Sequence, residues 1–110
     1  LLRVRKRGEF KAVYGEGLRV AGERLVIFVR SGENDHPRLG ITATRKVGGA
    51  VVRNRLRRLV REVFRRNLSA FDTWDVVVNL RRKAVGSRYQ DMEREMLSLM
   101  RRARKRSCSQ

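Results

Sequence analysis

The amino-acid sequence predicts a single domain of mixed helix and strand, and three observations lead there. The chain has 110 residues, of which 41% are hydrophobic, enough for one modest core and too many for a disordered chain. Three short runs are rich in β-branched residues and bounded by turn residues, as strands are. Two longer segments repeat their apolar residues at helical spacing instead.

Residues 1–8 form a basic arm. A short helix is expected at about 9–15, where Phe10, Val13 and Tyr14 recur at i, i+3, i+4, and Gly15 and Gly17 end it. Leu25-Val26-Ile27-Phe28-Val29 reads as a buried strand, and Ser31 to Pro37 as a polar turn. From Arg38 to Thr44 the chain alternates, with Leu39, Ile41 and Ala43 facing one way and Gly40, Thr42 and Thr44 the other. Arg45-Lys46-Val47-Gly48-Gly49 is a basic glycine loop, followed by a helix from about Ala50 to Asn67. Asp72 to Trp74 is a turn and Asp75 to Leu80 a strand. The last helix starts near Ser87, an expected N-cap, with Gln90 completing a capping box. Tyr89, Met92, Met96, Leu99, Met100 and Ala103 then line one face, expected to be core. The end, residues 101–110, is a basic tail. No repeat, linker or low-complexity tract divides the chain, so residues 1–110 are taken as one domain.

The charge points to the partner. Lys and Arg total 28 against 11 acids, a formal net charge of +17. Such an excess opposes compaction unless a polyanion offsets it, and nucleic acid is the leading class. Cys108 is the only cysteine, so no intramolecular disulfide forms and a cytoplasmic location is expected. No apolar run approaches the roughly 20 residues that span a bilayer. The opening Leu1 to Arg7 is too short and too charged for a signal peptide, and no membrane partner is expected.

The helix at 50–67 carries the strongest signal. At about 100° per residue, Val52, Leu56, Leu59, Val60 and Val63 share one sector, with Phe64 at its edge. Asn54, Arg57, Arg58, Arg61 and Arg65 fill the opposite sector. Arg53 lies at one border, and Arg55 and Arg66 at the other beside Glu62. Glu62 is placed to pair weakly with Arg58 and Arg66 at i±4. The other arginines have no intrahelical acid, so this face expects phosphates. Arginine suits that task because its planar guanidinium donates two parallel hydrogen bonds to phosphate and stacks on bases. The glycine loop lacks the G-x-x-x-x-G-K-[ST] spacing of a nucleotide-triphosphate loop; a plain strand-to-helix turn and a contact loop fit it equally.

Catalytic constellations are missing. His36 is the only histidine and has no imidazole partner. Cys and His are too few for a zinc site. Asp72 and Asp75 lie three apart at a turn, a pattern of turn chemistry more than of metal ligation. A two-metal nuclease would need several converging carboxylates. Phe10 and Tyr14, one helical turn apart, and Phe28 on the neighbouring strand suggest a second surface. Aromatics flanked by Lys and Arg hold single strands by stacking, while the same residues would equally fill a core.

Residues 44–62, Thr-Arg-Lys-Val-Gly-Gly-Ala-Val-Val-Arg-Asn-Arg-Leu-Arg-Arg-Leu-Val-Arg-Glu, resemble the signature segment of bacterial ribonuclease P proteins. Arg53-Asn54-Arg55 matches that family's RNR motif. Upstream, Arg7 to Gly17 resembles the family's first helix and its glycine exit; downstream, Asp75 to Val78 resembles its last strand. The resemblance implies an α/β (α+β) two-layer sandwich of order αβββαβα. It also implies a short strand near Leu18 to Ala21, which the residue pattern does not reveal, and a left-handed βαβ crossover, the rare hand for such units. It implies no catalytic residue in the protein: a catalytic RNA subunit holds magnesium and performs hydrolysis. Lys46, Arg53, Asn54, Arg55, Arg57, Arg58, Arg61 and Arg65 would dock on that RNA. Phe10, Lys11, Tyr14 and Phe28 would receive the 5′ leader of precursor tRNA. Gly49 departs from the larger polar residue of many relatives, and no metal ligands carry over. Ribonuclease P RNA and precursor tRNA are the implied partners, and no obligate protein partner is evident. A stand-alone ribosomal-RNA binder and a protein-only nuclease are the alternatives.

Overall fold

The computed structural model describes residues 12, 13, 15–32 and 35–108. Four strands, β1 (Leu18–Ala21), β2 (Leu25–Arg30), β3 (Arg38–Thr42) and β4 (Asp75–Leu80), form one sheet in the order β1-β2-β4-β3. Two long helices follow β3 and β4: α1 (Ala50–Arg66) and α2 (Tyr89–Cys108). Helical residues also precede β1, at 12, 13, 15 and 16, where the sequence predicts the first helix. β1 and β2 pair antiparallel, as do β2 and β4, whereas β3 and β4 are parallel neighbours joined through α1.

Strand alternation divides the sheet into two faces. Val20, Leu25, Ile27, Val29, Leu39, Val76, Val78 and Leu80 point to one face, where they meet Leu56, Val60, Val63 and Phe64 of α1 and the methionines of α2. This is the main core, and the predicted stripe of α2 lies in it. On the opposite face Val26, Gly40 and Val77 are buried, and Phe28 is half-buried. Val13 is fully buried yet outside the main core.

Several boundaries differ from expectation for local reasons. β1, which the residue pattern misses, buries only Val20 of its four residues, too little for a visible alternation. β3 stops at Thr42 instead of Thr44. There the Val47 amide donates to the Thr44 carbonyl (3.0 Å) and that of Gly48 to Arg45 (3.2 Å), turning the chain out of the ladder. Phe64, at the edge of the apolar sector, is fully buried, its ring 4.9 Å from that of Phe71. The turn after α1 folds Phe71 back over it, a cover that a single-helix projection cannot include. α2 begins after Arg88, not at Ser87, and Asp91 supplies the capping carboxylate, accepting from the Arg88 amide at 3.0 Å. The Ser87 hydroxyl instead accepts from Arg24 Nε (3.1 Å).

Part of the expected basic tail is helix, since α2 runs to Cys108. Arg102 and Arg106 donate to the carbonyls of Ala21 (3.3 Å) and Arg19 (2.8 Å) on the edge strand β1. Four helical residues rise about 6 Å and two strand residues about 6.6 Å, so the two spacings match. These arginines cover acceptors that a second strand would otherwise seek.

Candidate nucleic-acid interface

The outer face of α1 follows from its period. With one side committed to the sheet and α2, the polar residues must face outward. Asn54, Arg58 and Arg65 are exposed and Arg57 and Arg61 half-buried. Glu62 pairs with Arg65 (2.5 Å) and Arg66 (2.7 Å), not with Arg58 as its spacing suggested. These contacts, Arg65 first, hold its carboxyl below the usual carboxylate range. Arg65 is thus partly neutralised, while Arg58 has no side-chain partner among the described residues.

The Arg53-Asn54-Arg55 core is split by its environment. Arg55 Nη2 donates to the Ser87 carbonyl (2.8 Å), tying α1 to the start of α2. Arg53 Nε is buried without a hydrogen-bond partner. Asn54 Oδ1 accepts from Arg57 at 3.5 Å. Gly49 caps α1 with no side-chain hydrogen bond, and no acid lies in the first turn. At Gly48, with φ 156°, an added Cβ would come within 3.0 Å of Val52 Cγ1, so a strand-to-helix turn already requires this glycine.

Parallel pairing of β3 and β4 brings together loops far apart in sequence. Both strands end on the same side of the sheet, so Lys46 shares a groove with Arg81 and Arg82. Arg82 Nε donates to the Lys46 carbonyl (3.2 Å). The sequence shows both basic runs but not their adjacency.

The second predicted surface is described only in part. Phe10, Lys11 and Tyr14 lie outside the described residues. Phe28 lies on the sheet face opposite α1 and α2, level with Arg19 and Val77 in the ladder. Thr42 and Asn79 share that face and are hydrogen-bonded to each other. Asp75 anchors its far end: fully buried, it accepts from Arg38 Nε (2.8 Å) and Nη2 (2.8 Å) and from Arg30 Nη2 (3.0 Å). Those arginines, Arg38 foremost, hold its carboxyl below the ordinary carboxylate value. Asp72 pairs with Arg104 (3.1 Å). Among the described residues no three His, Cys, Asp or Glu side chains gather as a metal site. Nor, among the described residues, is any helix long and apolar enough to cross a membrane.

The chain is a small four-stranded α+β protein with a cationic helix on its outer side. The sequence profile of the Ribonuclease P family matches residues 1–104. The ribonuclease P protein component of Syntrophus aciditrophicus is 39% identical over 95 residues, covering 86% of this chain and 80% of that protein. That of Clostridium novyi is 36% identical, covering 92% of each. The Staphylococcus aureus RNase P protein structure superposes with a TM-score of 0.85 at 30% identity, covering 94% of this chain and 95% of that one. The Thermotoga maritima protein gives 0.83 at 34%, covering 93% and 97%. The chain belongs to the ribonuclease P protein family, and so serves in tRNA processing as a protein component of that enzyme.

Proposed function

We propose that this protein binds the ribonuclease P RNA through α1 and receives the 5′ leader of precursor tRNA on the sheet face that carries Phe28, while the RNA performs the cleavage. The outer face of α1 supports this most directly. Arg57, Arg58 and Arg61 outnumber the single acid of the helix, Glu62, whose carboxylate is already engaged by Arg65 and Arg66. Like charges on one helix face repel, and phosphates would relieve that repulsion. The sheet face offers the other half: half-buried Phe28, level with exposed Arg19 in the ladder, suits a single strand held by stacking.

Reconstitution tests this reading. The chain, mixed with ribonuclease P RNA at low magnesium, is expected to promote removal of the leader from precursor tRNA, and the protein alone to cleave nothing. Specific 5′ cleavage by the protein after thorough nuclease removal of RNA would overturn it. Arg58→Ala should leave the fold intact, because the side chain is exposed and has no partner among the described residues. It should reduce the salt dependence of RNA binding by about one counter-ion. An unchanged slope in a titration over salt would show Arg58 to be idle.

A further inference from the structure

We propose that Arg81, Arg82 and Lys83 extend the RNA-binding surface beyond α1, forming with Lys46 a second phosphate-binding edge for the same RNA; this rests on the reading of α1 given above. The edge exists because β3 and β4 are parallel, with Thr42 opposite Asn79. Both strands therefore leave the sheet at the same end. A groove there is lined by Thr44, Lys46, Val47, Leu80, Arg81 and Arg82, with no acid among them. Residues 36–61 and 76–90, which supply both loops and most of α1, contain no Asp or Glu. Arg45, Lys46, Arg81, Arg82 and Lys83 are all exposed, and among the described residues none forms an ion pair.

Two contacts fix the edge relative to α1. Arg82 Nε holds the Lys46 carbonyl (3.2 Å), and Arg55 Nη2 holds the Ser87 carbonyl (2.8 Å) at the end of the 81–87 segment. A short helical turn, Arg82–Ala84, lies within this segment. Arg82 is thus held in place, and with no acid in the groove the neighbouring exposed cations are left to phosphates. Continuity with the N-terminal end of α1 selects the RNA that binds α1, and the leader face with Phe28 is a separate surface of the sheet.

The test uses the full chain and measures binding to ribonuclease P RNA across a salt titration. Arg81→Ala with Lys83→Ala should lower the salt slope by about two counter-ions while leaving the melting curve unchanged. Arg94→Ala with Arg101→Ala removes the same two charges from exposed positions of α2 and should leave the slope unchanged. Equal slopes for the two double variants would mean that net charge alone acts, and would overturn the proposal. So would a loss confined to precursor tRNA binding by the assembled enzyme, which would assign the edge to the substrate. If Arg58→Ala lowers the slope and the loop variant does not, the α1 reading stands and the second edge falls. If neither lowers it, both fall.

Discussion

Replacing Asp75 with Ala should cost about 3–5 kcal/mol of stability, the usual loss when one partner of a buried ion pair is removed. Domains of this size hold only about 5–15 kcal/mol in total. Asp75 is fully buried at the start of β4, and its ladder partners are Arg30 on β2 and Arg38 on β3. One carboxylate therefore fastens three strands, and its loss leaves two guanidiniums partly buried. Arg30 would keep Glu16 at 3.2 Å, an exposed carboxylate, while its Nε is already buried without a partner. Acid should act in the same direction. The folded-state pKa of Asp75 lies below its ordinary value of 3.8, so folding favours the ionised form. The stabilisation is complete above the unfolded-state value and fades as pH falls through the lowered folded-state value. Urea unfolding of the wild type should thus weaken between about pH 5 and pH 2, with a smaller decline in Asp75→Asn. A loss below about 1 kcal/mol at neutral pH, or an unchanged acid limb in the variant, would show that the cluster does not hold the sheet.

Substituting Phe28 with Leu should weaken binding of precursor tRNA to the reconstituted enzyme by about 1–3 kcal/mol, the contribution of one base–aromatic stack. That corresponds to roughly 5–150-fold in affinity. Leu keeps most of the apolar volume on a half-buried strand position and removes only the aromatic face. Mature tRNA lacks the leader and should bind both proteins equally. Both affinities are compared at one salt concentration, because phosphate contacts are strongly salt-dependent, together with the melting temperature. An equal loss for both ligands, or a large fall in melting temperature, would assign Phe28 to packing.

Legibility in the sequence differed from element to element. α1 was readable because its 17 residues sample the helical period several times, and one side of it meets a continuous apolar surface. β2 and β4 were readable because they are central strands with apolar residues on both faces. β1 was not, since an edge strand with one buried residue carries no periodic signal; only the family resemblance supplied it. Glu62 pairs with Arg66 as its spacing suggests but with Arg65 in place of Arg58, since all three lie within reach along the helix. Side-chain conformation decides among them, and the sequence does not encode that separately. Asp75 read as turn chemistry because the two arginines that hold it lie 45 and 37 positions away.

By itself the sequence determined the charge, the long helices, the arginine face and the family, because each depends on residue type at short spacing. Tertiary structure alone decided which distant residues act together. Parallel pairing of β3 with β4 carries Lys46 to Arg82, register carries Arg30 and Arg38 to Asp75, and the turn after α1 folds Phe71 onto Phe64.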